Sequence, residues 1–286
     1  MTIIQSSLSA EDFRYPLEQS EFSTIAAMLY KEAGITLGPA KRDLVQGRLA
    51  RRLRALGCAD FAAYIALVQS SDGFAERRQM INALTTNLTG FFREQHHFDF
   101  LGDEILPQLS RLREGAKRRL RIWSAGCSSG EEPYSIAMTV HSRLPDIDRW
   151  DAKTLATDID TDMVASGQAG SYDASRAERV PKEMRLRYMK PSRGTETLHI
   201  SNHLRSIISF RYLNLLEPWP MSGPFDIIFC RNVVIYFDKP TQRRLFDRFA
   251  DLLIPGGWLF IGHSESLFHV CDRFEHLGRT IYRRTA

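Results

Sequence analysis

The chain has 286 residues, 43% hydrophobic, 25% charged and 10% aromatic, and its 38 Lys and Arg against 34 Asp and Glu leave a formal charge of +4. These proportions exclude a disordered chain and fit one large domain or two unequal ones. No apolar run approaches the roughly 20 residues of a membrane helix, which argues against insertion in a membrane. Met1 to Ser20 carries Glu11, Asp12 and Glu18 and no apolar core, unlike a secretory signal, so a cytoplasmic protein is expected. Cys58, Cys127, Cys230 and Cys271 form no C-x-x-C pair and read as reduced thiols, not as a zinc site or a disulfide framework.

Residues 1–19 read as an N-terminal tail and 20–86 as an all-α domain. Ser20 is the expected N-cap of a first helix with an apolar stripe of Phe22, Ile25, Met28 and Leu29, closed by Gly34 as the C′ residue. A second helix is expected over Ala40 to Leu56, where Val45, Leu49, Leu53 and Leu56 share one face. A third begins near Asp60 with Phe61, Tyr64, Ile65 and Val68 inward, and a fourth carries Phe74, Met80, Ile81 and Leu84. No strand-like alternation interrupts them, so they form a small bundle.

Thr85 to Gly90 is polar and reads as a linker, followed by a helix over Phe91 to Leu109. The pattern then becomes strand and helix in turn. Strands are expected at Arg119 to Ser124, Lys153 to Ala156, Ile208 to Tyr212, Phe225 to Cys230 and Trp258 to Gly262, with helices at Pro133 to Ser142 and Pro240 to Leu253. The turn Pro255-Gly256-Gly257 precedes the last of these strands, and Thr280 to Tyr282 would close an antiparallel edge. This alternation predicts an α/β fold with a doubly wound, mostly parallel sheet over 87–286. Residues 171–206 are polar, with one β-like stretch at Thr197 to Ile200, and read as an insertion.

Ligands of such sheets bind beyond the carboxyl ends of the strands. After the first strand, Gly126 permits a tight turn, and Gly130 opens a helix whose first turn holds Glu131, Glu132 and Pro133. Two carboxylates there disfavour a pyrophosphate and favour a ligand with hydroxyls or a positive charge. Asp158, ending the second strand, stands where an acid hydrogen-bonds a ribose diol; alternatively Asp158 and Asp160 only cap the following helix. A phosphate-free nucleoside with a cationic half points to S-adenosylmethionine. Arg231 and Asn232 follow an apolar strand, and a buried arginine requires a ligand or a nearby carboxylate as partner.

The strings NALTTNLTGFFRE (Asn82 to Glu94), WSAGCSSGEEPYS (Trp123 to Ser135), ATDID (Ala156 to Asp160), NLLE (Asn214 to Glu217), FDIIFCRNVVIYF (Phe225 to Phe237) and GHSES (Gly262 to Ser266) resemble the CheR family of chemotaxis protein methyltransferases. The resemblance runs from about Phe22 to Tyr282. It implies a helical domain followed by a Rossmann-like methyltransferase domain that carries 171–206 as a small β-subdomain. It implies transfer of a methyl group from S-adenosylmethionine to glutamate side chains on the cytoplasmic helices of chemoreceptors. It also implies that Asn87, Thr89, Arg93, Glu132, Asp158, Asn214, Leu215, Arg231 and Asn232 serve the cofactor beside Gly126. Arg93 and Tyr236 would lie nearest the reacting groups, and 171–206 would dock a receptor's C-terminal pentapeptide. A monomer is expected.

Arg48, Arg51 and Arg54 recur at i, i+3 opposite the apolar face of the second helix, with Arg52 on the flank. Either this is a solvated helix face or, given acidic receptor helices, a surface that steers the substrate. His96 and His97 adjoin and should not face one metal, so no metal is expected. His263-Ser264-Glu265 lacks a G-x-S-x-G elbow and reads as a loop, and Lys117, Arg118, Arg119 and Arg121 precede the first strand away from the ligand side. A nucleic-acid methyltransferase and a non-catalytic, cofactor-sensing adaptor are the other classes considered. Sparse aromatics among the basic residues speak against nucleic acid, and the presence of Arg93 and Tyr236 speaks against the adaptor.

Overall fold

The computed structural model describes residues 14–113, 118–144 and 146–285. Residues 1–13 of the expected tail and Lys117 lie outside the described residues. The chain divides into two compact units, Met1–Thr86 with Tyr236–Asp238, and Asn87–Ile235 with Lys239–Ala286.

The first unit contains α1 (Gln19–Ala33), α2 (Arg42–Leu56), α3 (Phe61–Gln69) and α4 (Phe74–Leu84). Helix α1 starts before the expected Ser20 cap. Glu18 is its N-cap, and the Glu18 backbone N–H donates to the Glu21 carboxylate at 2.8 Å, a reciprocal arrangement that Ser20 cannot supply from inside the turn. Gly34 closes it with φ 68°, as expected. Pro39–Lys41 forms a separate 3-10 turn, which delays α2 to Arg42. Asp60 caps α3 by accepting the Ala63 N–H at 2.8 Å.

Val45, Leu49, Leu53, Phe61, Tyr64, Val68, Met80 and Ile81 are buried in this unit. Leu56 and Phe74, the last residue of α2 and the first of α4, instead lie 42% and 64% exposed, because the helix ends project past the packed faces. The arginine stripe of α2 is also changed. Arg48 donates to the carbonyls of Leu84 (3.1 Å) and Thr85 (2.7 Å), satisfying the open C-terminus of α4. Arg52 forms a two-pronged pair with Glu76, which also accepts the Tyr64 hydroxyl at 2.9 Å. Arg51 and Arg54 remain on the exposed face.

In the second unit the helix expected from Phe91 begins only at His96, since Phe92 and Glu94 adopt φ of 51° and 58°. Helix α5 (His96–Phe100) then runs through a π-helical turn, Leu101–Ile105, into α6 (Leu106–Leu112). The chain continues through β1 (Arg119–Ala125), α7 (Glu131–Arg143), β2 (Asp151–Asp158) and α8 (Thr161–Ala169). The insertion follows, comprising β3 (Ser171–Asp173), α9 (Lys182–Tyr188), β4 (Met189–Pro191), β5 (Thr197–Ile200) and α10 (Asn202–Arg205). Then come β6 (Ile208–Tyr212), β7 (Phe225–Cys230), α11 (Lys239–Leu252), β8 (Leu253–Ile261), β9 (Phe274–Gly278) and β10 (Ile281–Arg284).

The seven-stranded sheet has the order β6-β2-β1-β7-β8-β10-β9. Strands β6, β2, β1, β7 and β8 are mutually parallel, and β10 runs antiparallel to both β8 and β9. The expected closing strand is therefore internal, and β9 forms the edge. A second, three-stranded antiparallel sheet, β3-β5-β4, makes the insertion a β-subdomain. The seven-stranded sheet is held by buried aromatic rings, notably Phe229 stacked on Phe260 at 4.2 Å and Trp123 edge-on to Phe249 at 5.2 Å. Each such side chain contributes about 1.5–3 kcal/mol on burial.

The register positions the site. Ala125 pairs with Thr157, and Ser124 with Phe229. Gly126, Asp158 and Arg231, each just beyond those pairs, consequently emerge at one level of the sheet. This is where the chain order reverses between β1 and β7, the crevice in which doubly wound sheets bind ligands.

Candidate functional site

The loop after β1 is tightly fixed. The N–H groups of Gly126 and Cys127 both donate to the Thr157 carbonyl, at 2.8 and 2.9 Å. Gly126 has φ 87°, and a Cβ there would lie 2.3 Å from Val233 Cγ2, so only glycine fits. Ser128 has φ 47° and donates its backbone N–H to Asp158 Oδ2 at 2.7 Å. Asp158 also accepts the Asp160 N–H at 2.9 Å, yet burial pushes it up to about 6.

The capping reading holds for one member of the acidic pair. Asp160 is the cap, accepting N–H groups from Asp162 (3.0 Å) and Met163 (3.2 Å) at the start of α8. Asp158 is not a cap and sits at the sheet end. Asn87 donates to Asp160 Oδ2 at 2.6 Å and accepts the Ser128 hydroxyl at its carbonyl, so the expected linker is built into the β1 and β2 ends. Thr89 is half-buried beside it in the chain. Asn214 and Leu215 follow β6, anchored where the Leu213 N–H donates to the Asp158 carbonyl at 3.0 Å.

Arg231 is buried with the partners its burial demands. Its side chain is 2% exposed and lies 3.0 Å from Glu132 Oε2 and 3.3 Å from Glu94 Oε2. It also donates to the Arg93 carbonyl and lies over the Phe98 ring. Glu132 further accepts the Ser124 hydroxyl at 2.7 Å, and burial holds its carboxyl above the usual range despite Arg231. Burial would raise Glu94 too, but Arg231 and the His263 hydrogen bond hold it below its ordinary value. The Arg93 side chain donates to the Leu88 carbonyl at 2.6 Å.

Asn232, at φ 60°, is fixed by Glu265, which accepts N–H groups from Asn232 (3.0 Å), Val234 (2.9 Å) and Ile235 (3.3 Å). Glu94 and Glu265 escaped the strand-end reading because each acts on a loop far away in sequence. The strings FFRE and GHSES, which contain them, were the available signal. Tyr236 ends a 3-10 turn, Val234–Tyr236, and groups with the helical unit, where its carbonyl accepts the Thr36 N–H at 3.1 Å.

One expectation about the histidines is corrected. Glu94, His96 and His97 present ligand-type atoms within 4.8 Å of one another, because both rings turn toward the Arg279 carbonyl, which lies 3.3 and 3.1 Å from their Nε2 atoms. The Glu94 carboxylate there is engaged by Arg231 and His263. Burial, then Arg231, lower His97 to about 3, which leaves the ring neutral.

Residues 87–283 match the family described as CheR methyltransferase, SAM binding domain, and residues 20–85 match CheR methyltransferase, all-alpha domain. The chain belongs to the CheR methyltransferase family. A probable chemotaxis protein methyltransferase of Rhizobium etli is 47% identical over 262 residues, covering 90% of this chain and 97% of that protein. Chemotaxis protein methyltransferase 2 of Pseudomonas aeruginosa is 42% identical, covering 95% of each chain. The Escherichia coli chemotaxis protein methyltransferase is also 42% identical, covering 94% of this chain and 92% of its own length.

This CheR chain therefore carries out S-adenosylmethionine-dependent methylation in chemotaxis. Its donor set suits that cofactor. Glu132 and Asp158 are buried acids around the β1 loop, unfavourable to phosphate and favourable to a sulfonium cation, and Asp158 can accept from ribose hydroxyls. Among the described residues, no helix is long and apolar enough to cross a membrane.

Proposed function

We propose that this chain is a protein-glutamate O-methyltransferase acting on the cytoplasmic helices of chemoreceptors as a monomer in the cytoplasm. The observation that carries the cofactor placement is Asp158, buried at the end of β2 beside an acidic helix start and clamped to the backbone of the β1 loop. In this reading Asp158 accepts from the ribose hydroxyls. Gly126, Asn87, Thr89, Asn214, Leu215 and Asn232 line the nucleoside, and Glu132 and Arg231 set the charge near the sulfonium. Residues 20–86 form the helical domain and 87–286 the methyltransferase domain, with 171–206 as the inserted β-subdomain. The insertion is the proposed receptor-pentapeptide dock.

S-adenosylmethionine, when bound, supplies an electrophilic methyl group on sulfur. The acceptor needs little activation, since a glutamate carboxyl with a pKa near about 4.3 is already ionised at neutral pH. The protein's work is alignment, and holding both partners in a near-attack pose supplies roughly 7–11 kcal/mol. Arg93 and the Tyr236 hydroxyl are proposed to orient the incoming carboxylate. Its negative charge is consumed as the ester forms, so an overly strong arginine contact would favour the ground state. Positioning is thus expected to outweigh charge pairing.

On the helical unit, Arg51 and Arg54 are proposed to attract the acidic receptor helix, with Arg48 and Arg52 shaping the bundle through their carbonyl and Glu76 contacts. The test is incubation with methyl-labelled S-adenosylmethionine and either receptor-containing membranes or RNA. Label in the receptor supports the reading. Label in RNA, or in neither, overturns it.

A further inference from the structure

Two residues of the inserted segment reach the β1 loop. Tyr172, in β3, donates its hydroxyl to the Ser129 carbonyl at 2.7 Å. Its ring is held edge-on to Phe91 at 5.0 Å and to Tyr134 at 6.1 Å. The same hydroxyl lies 2.8 Å from where a Cβ on Gly130 would stand, so the approach is as close as a glycine backbone permits. Arg176, in the turn Ala174–Ala177, donates to the Ser129 hydroxyl at 2.9 Å and pairs with Glu131. The Ser129 hydroxyl in turn donates to the other Glu131 oxygen at 2.7 Å. Glu131 is fully buried, and a buried carboxylate requires such compensation.

The loop needs holding. Gly126, Ser128 and Gly130 all lie at positive φ, and a non-glycine residue in that region persists only where its surroundings over-determine it. From the sheet side the restraint is Asp158 on the Ser128 N–H. From the other side it is the insertion, through Tyr172 and Arg176.

We propose that Tyr172 and Arg176 are positioning residues for the cofactor loop, so that the inserted β-subdomain sets the affinity for S-adenosylmethionine. They act through Ser129 and Glu131, not by touching the cofactor. The inference rests on the cofactor placement proposed above.

The test is calorimetric binding of S-adenosylhomocysteine to the full chain and to Arg176→Ala, Arg176→Lys, Tyr172→Phe and Asp158→Ala, with thermal unfolding as the folding check. Arg176→Ala and Tyr172→Phe should each weaken binding about tenfold, the scale of one lost hydrogen bond to a charged or buried group. Arg176→Lys should recover part of the loss, and kcat at saturating cofactor should stay within about twofold for all three, which separates affinity from chemistry. Tyr172→Phe keeps the ring packing and decides the matter if Arg176→Ala does not fold. Wild-type affinity in a folded Tyr172→Phe or Arg176→Ala protein, with binding lost in Asp158→Ala, overturns the positioning role alone. Wild-type affinity in Asp158→Ala overturns the cofactor placement, and the positioning role falls with it.

Discussion

Replacing Arg231 with methionine keeps a long apolar stem but removes the cation shared by Glu94 and Glu132. Deleting one member of a buried ion pair costs about 3–5 kcal/mol. Here one guanidinium, 2% exposed, serves two carboxylates and the Arg93 carbonyl, so the upper part of that range, about 4–5 kcal/mol at pH 8, is expected. That is a large fraction of the roughly 5–15 kcal/mol that stabilises a folded domain. The pH dependence has a definite sign. Burial is the largest influence on both carboxyls and acts to raise them, so removing Arg231 should lift both; the folded variant would then bind more protons than the unfolded chain, and its stability should fall as pH rises. The penalty is therefore largest near pH 8 and shrinks toward pH 5. Urea unfolding of the cofactor-free protein, followed by tryptophan fluorescence at both pH values, measures it. A loss below about 1 kcal/mol at pH 8, or a penalty that grows on acidification, would refute the electrostatic reasoning.

Asp158→Ala should weaken S-adenosylhomocysteine binding by about 10- to 100-fold, as expected for losing hydrogen bonds to a charged group. In the wild type, affinity should fall as pH drops through about 6, where Asp158 takes up a proton, and Asp158→Asn should flatten that profile in calorimetry from pH 5 to 8. Arg93→Ala and Tyr236→Phe should each lower turnover about tenfold or more while S-adenosylhomocysteine still binds; unchanged turnover in both removes their proposed role. Reversing Arg51 and Arg54 to Glu should raise the apparent KM for receptor and weaken its dependence on salt, with kcat preserved. Unaltered kinetics at low ionic strength would leave those arginines as a solvated face.

Much of the sheet was legible because its strands are short apolar runs flanked by turn residues. The limits of β6 and β7 match their expected spans, and the strand-end logic led to Gly126, Asp158 and Arg231 before their register was known. The insertion was less legible: its β-like stretch at Thr197 to Ile200 is β5, but β3 and β4 have only three residues each, too few to display a period. Strand β9 was missed because only Phe274 of it is buried, leaving no alternation to read. The start of α5 was misplaced because positive φ at Phe92 and Glu94 is imposed by surroundings that helix propensity does not sense. The arginine stripe shows the same limit. Spacing put Arg48 and Arg52 on a polar face, while the carbonyl end of α4 and Glu76, distant in sequence, drew both side chains into the bundle.

The central claim is the chemistry of the product, a methyl ester on a glutamate side chain. After transfer of labelled methyl to receptor-containing membranes, brief treatment with dilute alkali followed by collection of volatile label tests it directly. The account predicts that the label leaves as methanol, and that mass spectrometry of the untreated receptor places the added methyl on glutamate. Alkali-stable label, or a methyl group on nitrogen or on nucleic acid, would contradict it.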